Sequence, residues 1–183
     1  MKSIDHDWVE DDLLDDEDED ALQDRYLTFC LAGNEYGITI EHVVEIVPLQ
    51  PITEVPNMPP HVRGVINLRG RVIPVIDLRA RLHFAERAYD DRTCIIVVHL
   101  RDEDVGMIVD RVADVLAIPA ATIAPIPLLG EGTADRFLLG LGKLDGQVKV
   151  LLDADLLIFA DHLPSLAGLA AAAGLTPDKE PFV

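Results

Sequence analysis

Two stretches of this chain are near-copies of two others, and that duplication restricts the fold more than any composition could. Gly37–Ile46 reads GITIEHVVEI and Gly106–Val115 reads GMIVDRVADV. At one constant offset, glycine meets glycine, Val43 meets Val112, and Glu41 and Glu45 meet Asp110 and Asp114. The same offset lays the apolar run Tyr26–Leu31 over Ile95–Leu100, and each run leads into a polar turn. A slightly larger offset lays Gly64–Asp77 over Gly140–Asp153, so that Leu68 falls on Leu144, Gly70 on Gly146 and Asp77 on Asp153. Each copy therefore reads as strand, turn, strand, short helix, hairpin. Two copies are too few for a solenoid, whereas two small β-barrels packed together protect their own edges. The expected fold is mainly β, two packed barrels from one repeated unit, with short helices and a C-terminal helix.

The densest part of the pattern is Val62–Arg79, VRGVINLRGRVIPVIDLR. Branched apolar residues on both sides of Arg69-Gly70 predict a hairpin with a largely buried surface. Pro74 has no N–H for a ladder, which predicts an edge or a bulge there. Burial does not account for Asn67 or Arg69. In the second copy Asp145 stands where the first has Arg69, so the hairpin itself tolerates the opposite charge and Arg69 is drawn toward function. Glu45 is its expected partner, since the second copy offers two acids, Asp114 and Asp145, at the equivalent places.

Local signals place the remaining elements. Ile40, Val43, Val44 and Val47 share the spacing of one helical face, which predicts a short amphipathic helix after Ile38 with Glu45 pointing away from that face. Pro48, Pro51, Pro56, Pro59 and Pro60 break up the connection that follows, a strand-like crossing and a turn. Asp77 can cap a helix running through Leu82 with Arg79 and Arg81 on its exposed side, and Asp153 can cap one into Phe159. In the second copy, Thr93–Leu100 and Val105–Ile118 lead to a proline-bearing stretch, Pro119–Pro127. Gly130–Asp135 reads as a mobile loop, Phe137–Leu152 as the second hairpin, and Pro164–Leu175 as a peripheral helix. The expected organisation is a disordered acidic tail over 1–24, a domain over 25–160 with repeated halves at about 26–90 and 93–160, and an alanine-rich extension over 161–183.

Charge and chemistry narrow the function. The net charge is −18, and residues 1–24 hold twelve acids and one lysine, a charge of −11 that leaves −7 for the rest. Such a chain repels phosphate backbones, so no nucleic-acid partner is expected. The acid-rich tail cannot bury enough surface to offset the entropy of ordering. No apolar run is long enough to span a membrane, and no apolar signal core follows Lys2, so a cytoplasmic protein without direct membrane contact is expected. Cys30 and Cys94 each sit in a strand-like run and read as buried reduced thiols. Serine occurs only at Ser3 and Ser165, outside the repeated units, which argues against a serine nucleophile. The six histidines are scattered without an i, i+4 pair, so no metal is expected. Lys143 lies between the glycines of Gly140–Gly146, ahead of a strand, which is not a phosphate loop. Neither an enzyme nor a cofactor is indicated. A groove between barrels that receives an amphipathic helix suits the sequence better.

The three motifs together, Gly37–Ile46, Val62–Arg79 and Val105–Val115, resemble the CheW family of chemotaxis coupling proteins over roughly Tyr26–Phe159. The resemblance implies two SH3-like barrels and a non-catalytic scaffold joining chemoreceptor tips to the histidine kinase CheA. The kinase's regulatory domain and the receptor's cytoplasmic helical hairpin are the implied partners, at receptor arrays on the inner membrane. Val43, Glu45, Gly64, Asn67 and Arg69 are the implied protein-binding residues. The readings beside it are a CheW-like adaptor of another motility or kinase array, such as twitching, and a small-ligand sensor module. Five Phe, three Tyr and one Trp give a sensor pocket few aromatic walls.

Overall fold

The computed structural model describes residues 23–126 and 136–160. The expectations for the acidic tail up to residue 22, for the Gly130 loop and for the 161–183 extension with its helix lie outside the described residues. The chain forms eleven described strands: β1 (Arg25–Leu31), β2 (Asn34–Thr39), β3 (Val43–Pro48), β4 (Val62–Leu68), β5 (Arg71–Asp77), β6 (Cys94–Leu100), β7 (Glu103–Val109), β8 (Arg111–Ala117), β9 (Ile123–Ala124), β10 (Leu138–Leu144) and β11 (Gln147–Leu152). Two short helices, α1 (Leu78–Arg81) and α2 (Ala154–Phe159), follow the two hairpins. The fold is mainly β, as expected.

The strands form two sheets, β8-β1-β2-β11-β10-β9 and β3-β6-β7-β5-β4. Read through the repeat, with β1 matching β6, β2 matching β7, β3 matching β8 and the two hairpins matching, the two orders are the same apart from β9. Each sheet therefore mixes strands of both copies. The repeated halves are units of sequence, and the packing units differ from them: the second sheet is the continuous piece from β3 to β7, and the first is assembled from what lies before and after it. Among the described residues the chain passes between sheets at two points, after β2 and after β7.

The pseudo-symmetry holds at single residues. Gly37 pairs with Leu151 across the parallel β2–β11 contact, and Gly106 with Val75 across β7–β5. Asp77 and Asp153 each cap the helix that follows, and each donates its own N–H at 2.8 Å, to the carbonyls of His61 and Phe137 respectively. These caps satisfy the orphan N–H groups of a helix start. Gly64 has φ +142°, and a Cβ there would lie 2.0 Å from the Thr53 carbonyl oxygen. Glycine is thus demanded where the strand-like crossing at Thr53 bridges Val65.

The largest apolar core lies between the sheets. Phe29 and Ile38 of the first pack there with Ile76, Ile96 and Met107 of the second. A smaller core fills the second barrel around Ile66, Ile73, Val75 and Val97, and Tyr26, Ile118 and Leu151 occupy the first.

Several expectations are corrected. The stretch after Ile38 is a single 3-10 turn, Ile40–His42, followed by strand β3. Its apolar spacing also fits a strand: Val43, Glu45 and Val47 face inward while Val44 and Ile46 are exposed. A register shift between Val43 and Glu45 marks a bulge at Val44. Glu45 consequently shares a face with buried Val47 instead of pointing outward. Pro74 lies within β5, an interior strand. Its missing N–H does no harm because both backbone groups of its partner Val65 are bonded to Thr53, and the ladder to β7 starts only at Val75. Arg79 and Arg81 are drawn into the seam between barrels and are not on an exposed side. Asp24 also belongs to the fold, since its carbonyl accepts the Ile118 N–H at 2.7 Å.

Candidate functional site

The second sheet curls until its two edges approach, and Arg69 joins them. It occupies the β4–β5 turn at φ +53°, next to Gly70 at φ +82°. Asn67 sustains this turn by accepting the Gly70 N–H on Oδ1 at 2.9 Å. From there the Arg69 guanidinium donates two bonds to Glu45 on the opposite edge strand β3, at 2.7 and 2.9 Å. The planar fork of arginine matches both carboxylate oxygens, which lysine could not do. The hydrogen bond from Arg69 holds the Glu45 carboxyl below its usual value of 4.5, and the Arg71 charge adds to it. Arg69 stays 73% exposed on its side chain, so the latch lies at the barrel rim, open to solvent.

Of the five residues taken from the resemblance, the structure brings Glu45 and Arg69 into contact. Asn67 supports the turn that presents Arg69. Val43 is half-buried against the shared core one step from Glu45, and Gly64 makes room for the Thr53 crossing. Val44 and Ile46, exposed on the outer face of β3, flank the latch and add apolar surface. Sequence reasoning missed these two because it assigned Val44 to the apolar face of a helix and gave Ile46 no role; two-residue alternation around a bulge was the available signal.

A second charged cluster closes the seam between barrels. Arg79 of α1 donates from Nε and Nη2 to Asp110 at 2.7 and 2.6 Å, and from Nη1 to the Ala85 carbonyl at 2.9 Å. Asp110, lying between β7 and β8, also accepts the Ala32 N–H at 3.0 Å. Burial pushes the Asp110 carboxyl up, but the bonds from Arg79 and Ala32 outweigh it and hold it below 3.8. Nearby, buried Arg81 donates Nε to the Leu157 carbonyl of α2 at 2.7 Å and lies 4.6 Å over the Phe137 ring. Beside the hairpin, Tyr89 donates its hydroxyl to Asp77 at 2.8 Å. Burial, with that bond, pushes the phenol up to about 12.

Among the described residues, no group of three or more His, Cys, Asp or Glu side chains could hold a metal ion. A cavity of about 450 Å3 is bordered by Glu54, Arg63, Glu86, Arg87 and Tyr89, with Ile52 and Ala88 as its aliphatic walls. That lining is far more charged than the usual wall of a small-molecule pocket. Among the described residues no helix is long and apolar enough to cross a membrane.

Fold and latch together define a duplicated two-barrel β domain whose distinctive polar geometry sits at exposed rims. The CheW-like domain matches residues 25–161, and the chain belongs to the CheW family. It is 34% identical over 151 residues to the chemotaxis protein CheW of Klebsiella aerogenes, covering 82% of this chain and 91% of that one. Identity to the CheW of Bacillus subtilis is 36% over 132 residues, covering 72% and 85%. Among solved structures, the scaffolding protein TtCheW from Thermoanaerobacter tengcongensis is similar with a TM-score of 0.70 and 33% identity, covering 78% of this chain and 97% of that one.

Proposed function

We propose that this protein is a non-catalytic cytoplasmic adaptor that couples chemoreceptors to the histidine kinase CheA, recruited to receptor arrays at the inner membrane. Membership of the CheW family supports this reading, and the observation that carries it is the exposed Glu45–Arg69 latch. The latch ties the β4–β5 tip to edge strand β3 and fixes one barrel rim beside the apolar side chains of Val44 and Ile46. A rigid rim with flanking aliphatic groups is a surface on which an amphipathic helical hairpin can lie. In this reading Val43 and Gly64 set the backbone beneath the rim, Asn67 sets the turn, and Arg69 and Glu45 face the receptor hairpin or the kinase's regulatory domain.

The test is a binding assay of Arg69→Ala against receptor hairpin and kinase regulatory domain, accompanied by a thermal melt. Alanine and arginine are both L-residues at φ +53°, so the replacement brings little new backbone strain. The variant is expected to melt close to the parent, as exposed ion pairs contribute little. Binding should fall more than about tenfold, as for an arginine anchor at an interface. Unchanged binding to both partners, or loss of the fold, would refute the assignment.

A further inference from the structure

The interiors of the two barrels are not filled alike. Where the second barrel has Ile73 and Val97, the first has Lys149 and Thr28 at the equivalent positions. Both polar side chains line a cavity of about 420 Å3 between β8 and the β10–β11 hairpin. Its deep polar groups are satisfied from within. The Thr28 hydroxyl donates to the Asp114 carbonyl at 2.9 Å and accepts the Asp114 N–H at 3.1 Å. Buried Lys149 pairs with Glu35 and donates to Gln147 Oε1 at 3.0 Å.

The mouth is different. Asp114 occupies the place of Glu45, and Asp145, at φ +51°, the place of Arg69 at φ +53°. The hairpin tip has the same backbone conformation as its twin, but the cation is replaced by a second carboxylate. One Asp114 oxygen accepts the Val115 N–H at 2.8 Å, and among the described residues neither acid forms an ion pair. Arg111 lines the cavity as well, with Leu116 and Leu144 as apolar wall. Strand β8 is an edge strand paired only with β1, so the mouth is reached from an open side where Val115 is exposed.

We propose that this acidic mouth is a docking site for an arginine presented by a partner protein, the guanidinium taking in trans the position that Arg69 takes within the chain. The twin barrel supplies the independent observation: there, the residue equivalent to Asp114 binds a guanidinium in a two-bond fork. The cavity behind the mouth offers room for the aliphatic stem, with Leu116 and Leu144 to receive it. Two carboxylates favour the fork of arginine over the point charge of lysine. The acidic chain steers basic surfaces toward it. This site lies on the other barrel from the latch and is tested without receptor or kinase.

The experiment titrates the full-length protein with the blocked peptide acetyl-Leu-Arg-Gly-amide, following backbone amide resonances. Saturable shifts at Asp114, Val115 and Asp145 are expected. Asp145→Asn, an exchange that keeps a residue suited to positive φ, should weaken binding about tenfold or more with an unchanged melt. Asp145→Arg should rebuild the latch with Asp114 and abolish binding. The corresponding lysine peptide should bind more weakly. Shifts confined to the acidic N-terminal residues, equal affinity in Asp145→Asn, or equal binding of the lysine peptide would each overturn the proposal.

Discussion

Replacing Arg79 by alanine is the sharpest test of how the two barrels are held together. The guanidinium makes two bonds to Asp110, at 2.7 and 2.6 Å, and one to the Ala85 carbonyl. Its side chain is 12% exposed and that of Asp110 is 17% exposed. Breaking a fully buried ion pair costs about 3–5 kcal/mol, while losing a hydrogen bond to a charged group costs about 1.5–3 kcal/mol. Some water reaches this pair, so a loss of about 2–3 kcal/mol is expected near neutral pH, or roughly 5–10 °C in Tm. The pH dependence has a definite sign. The folded Asp110 carboxyl is held below its usual 3.8, so its contribution is present above that value and lost as pH falls through the folded pKa. The penalty of Arg79→Ala should therefore shrink in acid. A double-mutant cycle with Asp110→Ala, read by urea and thermal unfolding, should give a coupling of about 1–3 kcal/mol. A coupling near zero, or a penalty that grows as the pH falls, would refute the reasoning.

The glycines give a paired prediction: Gly64→Ala should cost at least about 3 kcal/mol because a Cβ would collide with Thr53, whereas Gly70→Ala, with open space around it, should cost only about 1 kcal/mol. Ultraviolet titration should show the Tyr89 phenol ionising near the value of about 12 given by its burial and its bond to Asp77. Since this raises it above the ordinary 10.0, stability should be intact below pH 10 and decline as the pH rises through the folded value; a Tyr89 transition at its ordinary position would contradict the contact with Asp77. Deleting residues 1–22 should leave the melt unchanged, while extending the deletion through Asp24 removes the acceptor of the Ile118 N–H and should lower it measurably.

Much of this was legible because turns and caps speak locally. The hairpin at Arg69-Gly70, its twin at Asp145-Gly146 and the capping acids Asp77 and Asp153 all follow from residue types whose backbone preferences are strong. The pairing of Arg69 with Glu45 was legible through the repeat, as a charge reversal between copies. The helix expected after Ile38 failed because Val43, Val44 and Val47 satisfy a period near 3.6 and also two-residue alternation around a bulge. Arg79 and Arg81 looked exposed on a four-residue helix because their burial depends on Asp110, Leu157 and Phe137, which are distant in sequence. The exchange of strands was also hidden: a repeat tells which segments are alike, not which copy each will pair with.

That exchange bears on how the chain reaches its fold. Every strand of the second sheet lies between Val43 and Val109, so that sheet can assemble from one uninterrupted segment. The first sheet needs β1 to find β8 and β2 to find β11, contacts that span nearly the whole domain. Closing so long a loop is entropically costly in an unfolded chain, but a folded second sheet already brings Val43 and Val109 into one compact body. The first sheet then closes a far shorter effective loop, and the expected order is second sheet before first. In pulse-labelling exchange, amides of β5, β6 and β7 should gain protection ahead of those in β1 and β8, and on the ribosome a nascent chain would hold β1 and β2 unpartnered by β8 and β11 until the C-terminal strands emerge.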